Sequence, residues 1–115
     1  MATDKGGLPG HYQSIKQRYP EISDALSNLG SAVRKAGPLN DKTGHLIQLA
    51  AAAAIRSEGA VHSHTRQAVD AGATAEEIQH AVLILTSTIG FPAVSAALSW
   101  VDEVLEHSHK KDNAS

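Results

Sequence analysis

Residues 40–56 read NDKTGHLIQLAAAAAIR. Asn40 and Asp41 are both residue types that cap a helix N-terminus, because their side-chain oxygens accept from free backbone N–H groups. After Leu46 almost every position is apolar, with Ala unbroken from Ala50 to Ala54. A helix that is apolar on all sides belongs inside a protein. Its small side chains let neighbouring helices approach closely. A buried helix at 41–56 therefore predicts an all-α chain with further helices packed around it.

The flanking sequence supplies those helices. Upstream, a helical pattern begins near His11, is interrupted at Pro20, and resumes with the stripe Ile22, Ala25, Leu26, Leu29, Ala32 and Val33, until Gly37-Pro38 stops it. Downstream, Glu58-Gly59 reads as a short break before a helix over 61–71, with Gly72 as its stop. Thr74 with Glu77 three residues on is a capping box. It opens a helix carrying Ile78, Ala81, Val82, Leu85 and Ile89, broken at Gly90-Phe91-Pro92. A last helix is expected over 92–107, with Val94, Ala97, Leu98, Val101, Val104 and Leu105 as its apolar set. Nothing alternates with period two, so no strand is expected. The expectation is a compact five- to six-helix domain over 11–107, with a flexible arm at 1–10 and a polar tail at 108–115.

Composition narrows the function. The chain has 115 residues, 42% apolar and 19% charged, with formal net charge −2. Those proportions suit one folded domain and no basic nucleic-acid face. Aromatic residues are 3%, too few for base-stacking platforms. There is no cysteine, which excludes disulfides, thiolate metal sites and cysteine nucleophiles. No apolar leader is visible at the N-terminus, and the apolar run 46–55 is far shorter than the roughly 20 residues of a membrane span. A soluble cytoplasmic protein without membrane or nucleic-acid partners is the expectation. Its Ala-rich core buries little area per residue, so subunit association is expected as well.

Seven histidines are the side chains with chemistry to offer. On the 61–71 helix, His64 shares a face with Val61, Ala68 and Ala71, which points it inward. His62 lies about 200° away with Arg66 and reads as solvated. His45 shares a face with Gln48 and Ala52. A buried imidazole is costly unless its nitrogens are paired, and it titrates near neutral pH. His45 and His64 are thus either hydrogen-bonded core residues or proton-transfer groups. A metal site built on this pair with imidazoles of a neighbouring subunit is a further alternative. His80 reads as half-buried beside Ile78, Ala81 and Val82. His11, His107 and His109 read as surface residues.

Three stretches, LNDKTGHLIQLAAAAA, HTRQAVDAGATAEEI and IGFPAVSAALSWVDEVL, together resemble the carboxymuconolactone decarboxylase family, which includes the alkylhydroperoxidase D-like proteins. The resemblance covers residues 39–105. It implies a compact all-α fold assembled as a homotrimer or homohexamer. Counting back from Gly72, the family histidine falls on His64, and the two cysteine positions of the peroxidase-type members fall on Ser57 and Ala60. The family's upstream glutamate falls on His45. Thiol peroxidase chemistry is thereby excluded. The decarboxylases of the family lack the cysteine pair and open a small lactone without a cofactor. By that resemblance the expected function is cofactor-free acid–base chemistry of the lyase or decarboxylase type on a small molecule. His64 and His45 would be its catalytic groups, and Gln48 and Ser57 its substrate-binding groups. A non-catalytic ligand-binding or structural oligomer of the same fold is the alternative.

Overall fold

The computed structural model describes the backbone of residues 10–114 and the side chains of residues 14–108. Among the described residues there are seven helical segments and no strand: α1 (Gly10–Arg18), α2 (Pro20–Lys35), α3 (Asp41–Ala54), α4 (Glu58–Asp70), α5 (Ala75–Leu83), α6 (Thr86–Ile89) and α7 (Phe91–Ala114). Nearly the whole expected arm falls outside the described residues; its last member, Gly10, opens α1. No helix among them is long and apolar enough to cross a membrane.

Local chemistry sets most boundaries. The Asn40 side chain accepts from the Thr43 N–H at 2.8 Å and caps α3. Thr74 and Glu77 form the capping box of α5 in both directions, at 3.0 and 2.9 Å. At the end of α4, Gly72 takes φ +97°, a left-handed conformation that suits glycine. The chain then folds back so that the Ala73 N–H donates to the Ala68 carbonyl at 2.9 Å. The end of α3 makes the same turn without glycine. Arg56 stands at φ 57°, and the Ser57 N–H donates to the Ala52 carbonyl at 3.0 Å. A side chain in that conformation carries strain of order 1 kcal/mol.

Three boundaries depart from the sequence reading. The break after α3 is at Ile55-Arg56-Ser57, and Glu58-Gly59 form the first turn of α4, where no preceding turn constrains a glycine. The run expected as one helix over 75–89 is split after Leu83, where the Leu85 N–H donates to the Val82 carbonyl at 3.0 Å, three residues back, and the Thr86 hydroxyl donates to the Leu83 carbonyl at 2.8 Å. The expected tail is helical through Ala114: residues 108–114 hold neither Gly nor Pro, so nothing stops α7 at His107.

The core lies where α3, α4, α5 and α7 meet, with α3–α4 the most extensive contact and α4–α7 next. Leu49, Val61, Ile78, Val82, Val94, Val101 and Val104 are fully buried in it. Ala52, Ala53, Ala68 and Ala97 are buried between them, but within the chain α3 is covered on one side only, contrary to the expectation of a helix buried all round: Ile47, Ala51 and Ala54 are exposed, as is Ile55 just after it. The α2 stripe behaves otherwise. Ile22, Leu26, Leu29 and Val33 are each 54–59% exposed, and Ser23 is the buried residue of that helix. α2 makes only a narrow contact with α3. That contact positions the candidate site.

Candidate active site

α3 and α4 pack side by side and bring His45 and His64 together. Their ring centroids are 6.0 Å apart and the rings are tilted by 40°. His45 is one turn before fully buried Leu49 and is itself only 6% exposed. His64 is one turn after fully buried Val61 and is half-buried. The helical phase read from the sequence thus holds for both residues. No hydrogen bond joins the two rings. Nδ1 of His45, Nδ1 of His64 and Oε1 of Gln48 are all buried without a hydrogen-bond partner. Buried polar atoms without partners are rare in folded proteins. Three within one pair of helices are left free to bond to water or to a ligand.

A cleft of about 350 Å³ opens over this pair, lined by Leu26, Ser27, Gly30, Arg34, Gln48, His64 and Gln67. A second depression of about 250 Å³ shares Arg34 and Gln48 with it and extends over Val33, Gly37, Pro38, Leu39 and Gly44. Arg34 comes from α2 and stands between the two. Its stem lies over Gly44, 3.6 Å from where a β-carbon would be, and its Nη1 is 3.2 Å from the corresponding position at Gly30. Among the described residues Arg34 has no ion pair, and no carboxylate lines the cleft. A guanidinium without a counter-ion suits an anionic ligand, since it offers a planar fork to a carboxylate.

The surroundings of both imidazoles favour the neutral form. Burial lowers the pKa of His45 below the ordinary 6.5, and Arg34 lowers it further against the opposing pull of Asp41 and Asp70. Burial also lowers His64, reinforced by His45 and then by Arg34. A neutral imidazole carries one N–H and one lone pair, so His64 at pH 7 has the form of a general base.

The remaining expected site residues fall elsewhere. His45 lies behind His64 and Gln48 and does not line the cleft. Ser57 caps the α4 N-terminus through its backbone and does not line it either, being seven residues, or roughly 10 Å of helix, before His64. Among the described residues no third ligand joins His45 and His64 into a metal site. His80 is exposed, because it stands two positions from both Ile78 and Val82 and so takes the opposite side of α5. His107 is exposed as expected, and the side chains of His11 and His109 lie outside those described. His62 is not solvated. Its ring is 12% exposed and its Nε2 is 2.9 Å from Glu103 Oε1 on α7. Arg34 and Gln67 are the cleft residues that sequence reading missed. Gln67 had a signal, standing three residues after His64 and so on its face. Arg34 had none, since only the crossing of α2 over Gly44 brings it in.

The model of the carboxymuconolactone decarboxylase family matches residues 20–103. The uncharacterized protein MJ1511 of Methanocaldococcus jannaschii is 32% identical over 90 residues, covering 78% of this chain and 84% of that protein. Apo-lpg0406, a carboxymuconolactone decarboxylase family protein from Legionella pneumophila, superimposes with a TM-score of 0.69 at 27% identity, over 84% of this chain and 86% of that one. TM1620 from Thermotoga maritima gives a TM-score of 0.62 at 28% identity, over 85% and 89% of the two chains. With its family model spanning both helices of the histidine pair and the Arg34 helix, the chain belongs to the carboxymuconolactone decarboxylase family.

Proposed function

We propose that this chain is a cofactor-free enzyme that moves a proton on a small organic acid or lactone, with His64 as the general base and acid. The observation that carries the reading is His64 facing a 350 Å³ cleft that also holds the Arg34 guanidinium, with burial lowering the imidazole pKa. Arg34 pairs with the carboxylate of the substrate and fixes its position. Gln48 and Gln67 orient it by hydrogen bonds from the cleft wall. In lactone opening His64 takes a proton from carbon as the ring C–O bond breaks to leave a carboxylate; in decarboxylation the C–C bond to a carboxylate breaks, CO₂ leaves, and the protonated His64 returns its proton to the carbon left behind. His45 does not touch the substrate. As a positioning residue it packs its ring beside that of His64, centroids 6.0 Å apart, and adds to the effect of burial in favouring the neutral form of His64. Having no cysteine, the chain offers no thiol for peroxidase chemistry.

Assembly into a homo-oligomer is part of the proposal. The exposed stripe Ile22, Leu26, Leu29 and Val33 supports it, and Leu26 also lines the cleft, so a second copy on that stripe would roof it. Sedimentation of Leu26→Glu, Leu29→Glu tests this: the native chain is expected to be oligomeric and the double variant to be a folded monomer.

The test of activity is a panel of small carboxylated lactones followed by proton NMR, with native chain and His64→Ala side by side. Turnover lost in His64→Ala with helicity intact is the expected result. Equal turnover in both would overturn the assignment. One feature favours a second reading, ligand binding without turnover: no acidic group lines the cleft. Saturable binding of a panel member, with no conversion, would select it.

A further inference from the structure

On the other side of α4, Glu58 and His62 stand four residues apart and so share one face. Glu103 reaches the same point from α7, 41 residues further along the chain. His62 Nε2 is 2.9 Å from Glu103 Oε1 and 4.0 Å from Glu58 Oε2. One ligand atom from each of the three residues lies within 4.8 Å of the other two.

We propose that Glu58, His62 and Glu103 bind a divalent transition-metal cation of the zinc or cobalt type, clamping α4 to α7. The donor set is one imidazole nitrogen and two carboxylate oxygens, each of which such ions accept, with water completing the coordination. Bonds of about 2.0–2.2 Å in a tetrahedron place ligand atoms roughly 3.3–3.6 Å apart. The observed 2.9 and 4.0 Å bracket that range, so small carboxylate rotations suffice. The parts are unequally free in a useful way. The imidazole is 12% exposed and fixed by packing, while the carboxylates are 56% and 48% exposed and able to adjust. Charge argues in the same direction. Among the described residues neither carboxylate has any ionic partner but His62, so two negative charges face one imidazole. Even a protonated ring leaves one charge over, and a dication removes it.

The test uses untagged full-length chain stripped with EDTA and titrated with ZnCl₂ by calorimetry, with Co²⁺ absorption as a second readout. One Zn²⁺ per chain is expected, with visible bands of four-coordinate Co²⁺. Saturating Zn²⁺ is expected to raise the melting temperature by roughly 5–10 °C. Uptake should disappear in His62→Ala, weaken at least about tenfold in Glu58→Gln and Glu103→Gln, and persist in His64→Ala. The two glutamine variants alter half-exposed side chains, so they remain informative if His62→Ala fails to fold. Binding weaker than about 1 mM, or uptake that survives both glutamine substitutions, would overturn the site and leave an ion pair only.

Discussion

His62 and His64 are two residues apart on one helix and live in opposite surroundings. His64 has a second imidazole beside it and faces a cleft that, among the described residues, holds a guanidinium and no carboxylate. His62 faces two carboxylates. The helix contributes the same side chain twice. α2 and α3 decide what the first can do, and α7 decides for the second. Imidazole chemistry is thus assigned by neighbours across a packing interface, and α4 offers a test of this within a single turn.

The sharpest way to break the contrast is at His64. Removal of a positioned general base lowers rate by about 10²–10⁴-fold. His64→Ala is expected to lose turnover within that range in steady-state assays while its circular dichroism stays native. A smaller effect belongs to Arg34. Hydrogen bonds to charged groups contribute about 1.5–3 kcal/mol, so Arg34→Gln is expected to weaken binding of a small carboxylate about 10- to 100-fold. Calorimetry in low and high salt checks this, and the native chain alone should show strong salt dependence.

The contrast can be sharpened by pH at His45. Arg34 on α2, Asp41 on its own helix, and His64 and Asp70 on α4 all face it. Its pKa in the fold is below 6.5, so as pH falls through 6.5 the unfolded chain takes up a proton that the fold refuses. Unfolding then binds protons, and stability must fall with pH in that window. Denaturant titrations between pH 7 and pH 5 are expected to show that loss, and His45→Gln to show less of it. An equal slope in both would mean that other groups carry it.

How far the sequence reveals these sites follows from where each signal resides. Helix starts and stops depend on residues close in the chain: Asn40 with Thr43, Thr74 with Glu77, Gly72 after α4. These were legible. The α3–α4 break was misplaced by a few residues because Arg56 adopts a conformation normally marked by glycine. The meeting of His45 and His64 was legible through helical phase, since both lie on the inward faces of consecutive helices. Arg34 was not, because the stripe on α2 looks like a core stripe and instead faces outward at 54–59% exposure. His62 was misread for the complementary reason. Phase alone turned it toward Arg66 and solvent, and the partner that encloses it comes from the last helix of the chain.

The smallest expected effect is at that last contact, and it sets the scale for the metal proposal. Without metal, His62 Nε2 and Glu103 Oε1 form a hydrogen-bonded contact of 2.9 Å, an ion pair only when the ring is protonated, whose carboxylate is half-exposed. Pairs of that kind contribute about 0.2–1 kcal/mol. Glu103→Gln in EDTA is therefore expected to lower the free energy of unfolding by no more than that, and high salt should erase most of the difference. With Zn²⁺ present the same substitution removes a ligand from an ion that binds only the folded chain, so its effect on stability must grow with metal concentration. A difference between native and Glu103→Gln chains that is small in chelator and widens along a zinc titration is the signature of a clamp. One that stays constant is the signature of a surface ion pair, and it would make the two faces of α4 differ in catalysis alone.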